Sequence, residues 1–298
     1  MPYFSVIIPS FNRRQKLCRA IDSVLSQSFR DYELIIIDDG STDGTDSIAL
    51  QYKGKISYFF QENQGVSSAR NKGISVSNSP FIAFLDSDDT WDKRKLARHK
   101  EYIESNPHIL IHQTEDIWIR NDRFVNPQKK HLKREGDIFE QSLHLCMISP
   151  SSVVMSREIF DKYGYFDEEL PACEDYDLWL RITPFEYIGL IKEKLITRYA
   201  GHSDQLSASF ELMDRFRVYS LMKLLEIHKD KLSPEQYKKA RTVAIEKTKI
   251  LLHGSIKRED FTKAQILQRI LNSLESEIYK KKDYQILLQL HNPHGHKS

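Results

Sequence analysis

From Phe4 to Leu85 short apolar runs alternate with amphipathic stretches. Phe4 to Ile8 is a continuous apolar-leaning run ended by Pro9, which predicts a buried strand. Leu17, Ala20, Ile21, Val24 and Leu25 recur at helical spacing and predict a helix from Leu17 to Leu25. Leu34 to Ile37 predicts a second strand, stopped by Asp38-Asp39-Gly40-Ser41. A helix over Asp43 to Tyr52, a strand over Ile56 to Phe60, a helix over Val66 to Val76 and a strand over Phe81 to Leu85 continue the series. This β-α-β-α-β-α-β rhythm predicts an α/β fold with parallel strands and helices on both faces. Acidic and polar residues follow the strand ends, where open α/β sheets bind ligands.

The middle of the chain is less regular. Asn121 to Glu135 is polar, carries Lys129, Lys130, Lys133 and Arg134, and reads as an exposed loop. Ser151 to Met155 predicts a strand, Arg157 to Tyr163 a short helix, Asp177 to Ile182 the start of another, and Leu190 to Arg198 a late strand. From about Ser209 the style changes. Leu212 to His228, Pro234 to Leu252 and Phe261 to Leu290 are helical by period, with breaks expected at Ser233-Pro234 and His253-Gly254. The expected division is residues 1–207 for ligand binding and catalysis and 208–298 for a helical region serving as cap, acceptor contact or oligomer contact.

Composition narrows the class. With 298 residues, 40% hydrophobic and 29% charged, the chain is neither collagen-like nor disordered and can bury a sizeable core. A net charge of +2 is too mild to argue nucleic-acid binding. The charge is uneven, however: from Lys223 onward 16 Lys and Arg face 9 Asp and Glu, a net +7, while the rest carries −5. A basic end suggests an anionic partner such as a membrane surface. A Lys-rich solvated helix face explains it equally well, and the stripe Leu221, Met222, Leu224, Leu225 and Ile227 reads first as a packed cap or a homodimer contact. Cys18, Cys146 and Cys173 form neither a disulfide framework nor a zinc motif. The start lacks a basic n-region, and no apolar segment reaches the roughly 20 residues of a bilayer span. The expected location is cytoplasmic, with peripheral contact at the inner face of a membrane as the minority reading.

Four constellations carry candidate chemistry. Asp86-Ser87-Asp88-Asp89 places three carboxylates after an apolar strand, where their repulsion invites a hard cation such as Mg²⁺ or Mn²⁺. The competing reading is an acidic turn with Asp89 capping a helix that begins near Trp91. Asp38-Asp39-Gly40-Ser41 suits a turn, but turn chemistry alone poorly explains two aspartates at a strand end; a carboxylate there can accept from a base N–H or a ribose hydroxyl. Asn63-Gln64-Gly65 with Ala69-Arg70-Asn71-Lys72 offers small residues for close packing and bases that could face phosphate. Glu174-Asp175 followed by Trp179 and Arg181 can be dipole-favoured acids opening a helix, or a general base at a cleft edge.

Together with Ser5-Val6-Ile7-Ile8-Pro9-Ser10-Phe11-Asn12-Arg13, these elements resemble, in their order and their places at strand ends, the family 2 glycosyltransferases, inverting enzymes of the GT-A fold. The resemblance covers about Pro2 to Ser207. It implies a Rossmann-like, mostly parallel sheet followed by a C-terminal helical region. It also implies roles. Pro9, Phe11 and Asp39 would hold the nucleotide base with Asp38 close by. Arg70 would contact base or ribose, and Asp86 would lie near the ribose. Asp88 would bind a Mn²⁺ or Mg²⁺ ion bridging the diphosphate, with Asp89 a helper. Asp175 would be the general base beside Glu174. His202 lies where related enzymes have a loop over the donor phosphates and could add a metal or phosphate contact, although a lone histidine is more often structural. The Q-x-x-R-W element and membrane helices of processive polysaccharide synthases do not occur.

The implied activity is metal-dependent, inverting transfer of a sugar from a nucleotide diphosphate sugar, expected to be a UDP-sugar, to an acceptor hydroxyl in surface glycan or glycoconjugate synthesis. The acceptor could be a saccharide, a lipid-linked saccharide or a peptide. A sugar nucleotidyltransferase is the first alternative, weakened because Pro9-Ser10-Phe11-Asn12-Arg13-Arg14 lacks the glycines of a phosphate loop. A non-catalytic nucleotide-sugar binder is the second.

Overall fold

A computed structural model describes residues 1–126, 128–201 and 212–290. The chain divides into two compact units, one of Met1–Ile138, Met147–Pro171 and Phe185–His202, the other of Phe139–Cys146, Ala172–Pro184 and Ser203–Ser298. The division therefore does not follow chain order. The boundary expected at 207/208 and the candidate His202 lie outside the described residues.

The first unit begins as the sequence rhythm predicts. β1 (Phe4–Ser10), α1 (Arg14–Leu25), β2 (Tyr32–Asp39), α2 (Ile48–Gln51), β3 (Ser57–Gln61), α3 (Val66–Val76) and β4 (Phe81–Phe84) follow in order. The helix expected over Asp43 to Tyr52 is shorter, a 3₁₀ turn at Thr45–Ser47 leading into α2. β1 pairs in parallel with β2 and β4, and β2 with β3. Phe4 to Ser10 is buried throughout, as a strand covered on both faces must be. Val6, Ile8, Leu34 and Ile36 meet Leu17, Ala20, Ile21 and Val24 of α1 in one apolar cluster. On α3, Gly73 allows close approach to β1: a Cβ there would lie 2.3 Å from Ile7 Cγ2.

Beyond β4 the sheet becomes mixed. β5 (Thr90–Trp91), α4 (Lys95–Ser105), β6 (Ile111–Arg120), β7 (Arg123–Val125), β8 (Val153–Ser156), α6 (Glu158–Tyr163) and β9 (Ile188–Ala200) complete the unit, with α5 (Phe139–His144) and α7 (Glu174–Ile182) belonging to the other. The strand order is β3-β2-β1-β4-β8-β6-β9-β5, with β7 paired to β6. β8 runs antiparallel to β4 and β6, while β6 and β9 are parallel. Two corrections arise here. Trp91 lies in a short strand and the helix starts at Lys95, so Asp89 is not its cap. The polar stretch after Arg120 is exposed as expected, but Arg123–Val125 pairs with β6 as a hairpin.

The second unit is helical in its described part. α8 (Asp214–Ile227), α9 (Pro234–Lys257), α10 (Phe261–Ser276) and α11 (Lys281–Gln285) follow one another. Ser233 caps α9 in a reciprocal pair with Gln236, with Pro234 as the first helical residue. The break expected at His253-Gly254 is absent, because α9 runs on to Lys257. Leu221, Met222, Leu224 and Leu225 are fully buried and Ile227 is exposed, so the α8 stripe is core. Among the described residues no helix is long and apolar enough to cross a membrane.

Candidate nucleotide-sugar site

The expected binding residues of the first unit gather at the carboxyl ends of β1, β2 and β4, three adjacent parallel strands. Strand register sets Pro9 beside Ile37 and Ser10 beside Asp38. Pro9 is buried in β1, while Phe11 just past it is 45% exposed, leaving an aromatic ring at the mouth. Asn12 and Ser41 tie the two loops together: Asn12 N donates to Ser41 Oγ at 2.8 Å, and Thr42 N donates to Asn12 Oδ1 at 2.7 Å.

Asp38 and Asp39 are both buried, and their oxygens are satisfied within the chain. Asp38 accepts from Ser41 N at 2.9 Å and from the Tyr58 hydroxyl, a bond that together with burial pushes the Tyr58 phenol up. Asp39 accepts from Gln61 Nε2 at 2.7 Å, Gln64 N at 3.0 Å and Gly65 N at 2.8 Å. It thus fixes the turn that starts α3. Gly40 at φ +85° sits against this turn, where a Cβ would lie 2.7 Å from Asn63 N. Gly40→Ala combines left-handed strain with a backbone clash and is expected to cost about 2 kcal/mol or more. Urea unfolding of the variant beside wild type measures that loss.

Past β4, arginines neutralise the acidic turn. Arg70 Nη2 lies 2.8 Å from Asp86 Oδ1, and its guanidinium lies over the Phe166 ring at 5.2 Å. Arg13 Nη1 lies 2.9 Å from Asp88 Oδ2, and Arg19 Nη2 donates to the Asp88 carbonyl at 2.9 Å. Asp89 points inward instead. It accepts from Ser151 Oγ at 2.7 Å and Tyr199 N at 3.2 Å. Burial pushes its carboxyl up to about 8; Asp88 and Asp86 add to the rise and Arg198 opposes it. Ser151 Oγ also accepts from Asp86 N at 3.1 Å, so one buried hydroxyl fixes both ends of the turn. Arg13, Arg19, Ser151 and Tyr199 were not singled out from sequence. The available signal was the small polar run Ser149-Pro150-Ser151-Ser152 ahead of a buried strand.

Glu174 and Asp175 open α7 in the second unit. Cys173 before them adopts φ 63°, unusual for a side-chain-bearing residue. Glu174, Tyr176 and Asp177 are buried, and Asp175 alone of these four is half-buried. Its Oδ2 lies 3.2 Å from the Cys146 thiol and its Oδ1 accepts from Tyr176 N at 2.7 Å.

Residues 5–164 match the model of glycosyl transferase family 2. The chain belongs to this family. An uncharacterized glycosyltransferase of Rickettsia typhi is 32% identical over 204 residues, 65% of this chain and 64% of that protein. The chain therefore spans just under two thirds of that relative's length. WfgD of Escherichia coli, named as a UDP-Glc:alpha-D-GlcNAc-diphosphoundecaprenol beta-1,3-glucosyltransferase, is 31% identical over 192 residues, covering 63% of this chain and 72% of WfgD. Among solved structures, S. aureus TarS 1-349 in complex with UDP-GlcNAc aligns with a TM-score of 0.63 at 18% identity, covering 93% of each chain. That likeness shows the GT-A fold with additional C-terminal helices.

Proposed function

We propose that this family 2 chain is an inverting glycosyltransferase that moves a sugar from a nucleotide diphosphate sugar, specifically a UDP-sugar, to an acceptor hydroxyl in glycan assembly. The observation that carries the reading is the gathering of Phe11, Asp38, Asp39, Arg70, Asp86 and Asp88 at the carboxyl ends of three neighbouring parallel strands. Such strand ends are where open α/β sheets take nucleotides. WfgD is named for a UDP-Glc donor and a lipid-linked acceptor, and TarS has been solved with UDP-GlcNAc and with UDP. Both support a UDP-sugar donor, and WfgD supports a lipid-linked saccharide as acceptor.

In this reading Phe11 offers its exposed ring to the base, and the Arg70–Asp86 pair meets the ribose. Asp88 is the residue that would hold a divalent cation. Its carboxylate is a hard oxygen ligand, and Mg²⁺ is commonly held by one or two carboxylates plus substrate phosphates. Asp88 Oδ2 lies 2.9 Å from Arg13 Nη1, so this carboxylate already faces a positive charge. When bound, the cation offsets the negative charge that develops on the departing diphosphate. Asp175 takes the proton from the acceptor hydroxyl as its oxygen attacks the anomeric carbon opposite the leaving group. One displacement with one base inverts the configuration, unlike the carboxylate pair of retaining glycosidases.

Transfer releases UDP, whereas nucleotidyl transfer releases pyrophosphate and a pure binder releases neither. Incubation with UDP-sugars and a panel of saccharide and lipid-linked acceptors, with a hydrolysis control, separates the three. Asp88→Asn is expected to leave the fold intact and to weaken Mn²⁺-dependent UDP binding at least tenfold, because the carboxylate carries the charge a hard cation needs. Calorimetry with and without Mn²⁺ checks it, and equal UDP affinity of the wild type in both conditions would remove Asp88 as a metal ligand.

A further inference from the structure

The hairpin of β6 and β7 and the loop that follows it hold none of the residues placed in the donor site, yet they concentrate charge. From Arg120 to Arg134 there are six Lys and Arg and one acid, Asp122, a net +5. All of Met1 to Met222 carries only −5, so the remainder of that part is −10. A basic block thus stands out from an otherwise acidic stretch of chain. Asn121 and Asp122, at φ 50° and 58°, form the tight turn, and Arg120, Arg123, Lys129, Lys130 and Arg134 are all exposed. Among the described residues none of these five forms an ion pair. Lys133 is different: it is shielded and lies 3.9 Å from the buried carboxylate of Asp116. The local field also reaches His131, which is held below its usual value by burial first and then by Lys130 and Arg198.

Apolar side chains are interleaved with these cations. Phe124 is 58% exposed, Leu132 51% and Val125 36%. The register pairs Val125 with Trp118, itself half-buried with the Arg198 guanidinium over its ring. Lys194 lies over the Phe124 ring. Among the described residues β7 pairs with β6 alone, so no further described strand lies against this edge. Exposed apolar and cationic groups on one short segment match the two layers of an anionic bilayer: headgroup phosphates outside, hydrocarbon beneath. A purely polyanionic ligand would satisfy the cations and leave Phe124, Val125 and Leu132 in water.

We infer that the β6–β7 hairpin and the Lys129–Leu132 turn dock this protein peripherally on a bilayer rich in anionic phospholipid, with Phe124 and Leu132 entering the interface. This surface lies in the first unit; in the second, the α8 stripe Leu221, Met222, Leu224 and Leu225 is packed as core. It does not depend on which sugar is transferred.

Sedimentation of the full chain with vesicles decides it. Vesicles of phosphatidylcholine containing one third phosphatidylglycerol are expected to bind at low salt and to release the protein as salt screens the surface. Phosphatidylcholine alone is expected to bind far more weakly. A Lys or Arg near such a surface is worth about 1 kcal/mol, or roughly fivefold in partition. The double variant Lys129→Gln, Lys130→Gln should therefore bind about 25-fold more weakly by that same scale. Phe124→Ser should weaken binding while leaving its salt dependence unchanged. Lys238→Gln, Lys239→Gln on α9 serves as the control and should bind as wild type does. Failure of the wild type to bind anionic vesicles at low salt overturns the inference. So does equal binding to neutral vesicles, or loss of binding in the α9 variant alone. Single-stranded RNA that displaces the vesicles, and that needs Phe124 equally, would reassign the surface to nucleic acid.

Discussion

Asp175→Asn is expected to keep UDP-sugar affinity close to that of the wild type and to lower transfer by about 10²–10⁴, the usual loss when a general base is removed. The structure distinguishes the acids that open α7. Glu174 and Asp177 are buried, and the Asp177 carboxylate is taken up by Arg181 at 2.9 Å and Lys223 at 3.1 Å. At 1% exposure and engaged by two cations, the Asp177 carboxylate offers an acceptor hydroxyl no approach. Asp175 is half-buried, and its neighbours are a thiol and a backbone N–H. Asparagine keeps its size and its acceptor oxygen but removes the basic carboxylate. Single-turnover transfer beside equilibrium donor binding checks the prediction. Near-normal turnover would take Asp175 out of the mechanism. Loss of UDP-sugar binding instead would mean that the residue acts on the donor.

The early strands and helices were legible because their buried positions are apolar. In β1 and β2 the buried run is largely Val, Ile and Leu, and in α1 the inward positions are Leu17, Ala20, Ile21 and Val24. Two long elements were less legible for the opposite reason: the helix expected to begin near Trp91 starts at Lys95, and the pattern carries no strand signal for β6. α4 turns Lys95 and His99 inward beside Leu96 and Ile103. β6 buries His112, Gln113, Thr114 and Asp116 after a single isoleucine. Three of these buried polar groups answer one another, while His112 Nε2, Gln113 Oε1 and Thr114 Oγ1 find no hydrogen-bond partner among the described residues. Lys95 Nζ lies 2.9 Å from His99 Nε2, and His99 Nδ1 lies 2.8 Å from His112 Nδ1. Burial holds the Lys95 amine and the His99 ring well below their ordinary values and His112 at about 3. Apolar periodicity cannot register a segment whose inward face is polar, because the partners that compensate it come from elsewhere in the chain.

The candidate site was legible to a similar depth. Asp38, Asp39, Asp86 and Asp88 were visible as acids at strand ends, and the fold gathers them there. What the sequence did not carry was the electrostatic pairing. Arg13 is 75 positions from Asp88, and Ser151 is 62 from Asp89. Asp89 shows the consequence: where the competing reading made it a helix cap, it is an internal brace between Ser151 and Tyr199.

Asp177→Ala is expected to destabilise the protein by about 3–5 kcal/mol, the range for removing one partner of a buried ion pair. Asp177 is 1% exposed, and its Oδ2 accepts from Arg181 Nε at 3.1 Å and Nη2 at 2.9 Å, and from Lys223 at 3.1 Å. The side chains of Arg181 and Lys223 are only 7% and 15% exposed, so truncation at Asp177 takes a carboxylate away from two positive charges that have little water to solvate them. The large cost would come from that lost compensation rather than from the net worth of the pair. The double variant Asp177→Ala, Arg181→Leu should accordingly regain part of the loss, because one of the two cations is gone. Asp175→Asn, at a half-buried position two residues away, should change stability by less than about 1 kcal/mol. Urea unfolding of the three variants beside wild type separates these expectations. A cost below about 1 kcal/mol for Asp177→Ala would show that the two cations relax to solvent and that the pair does not brace α7 against α8.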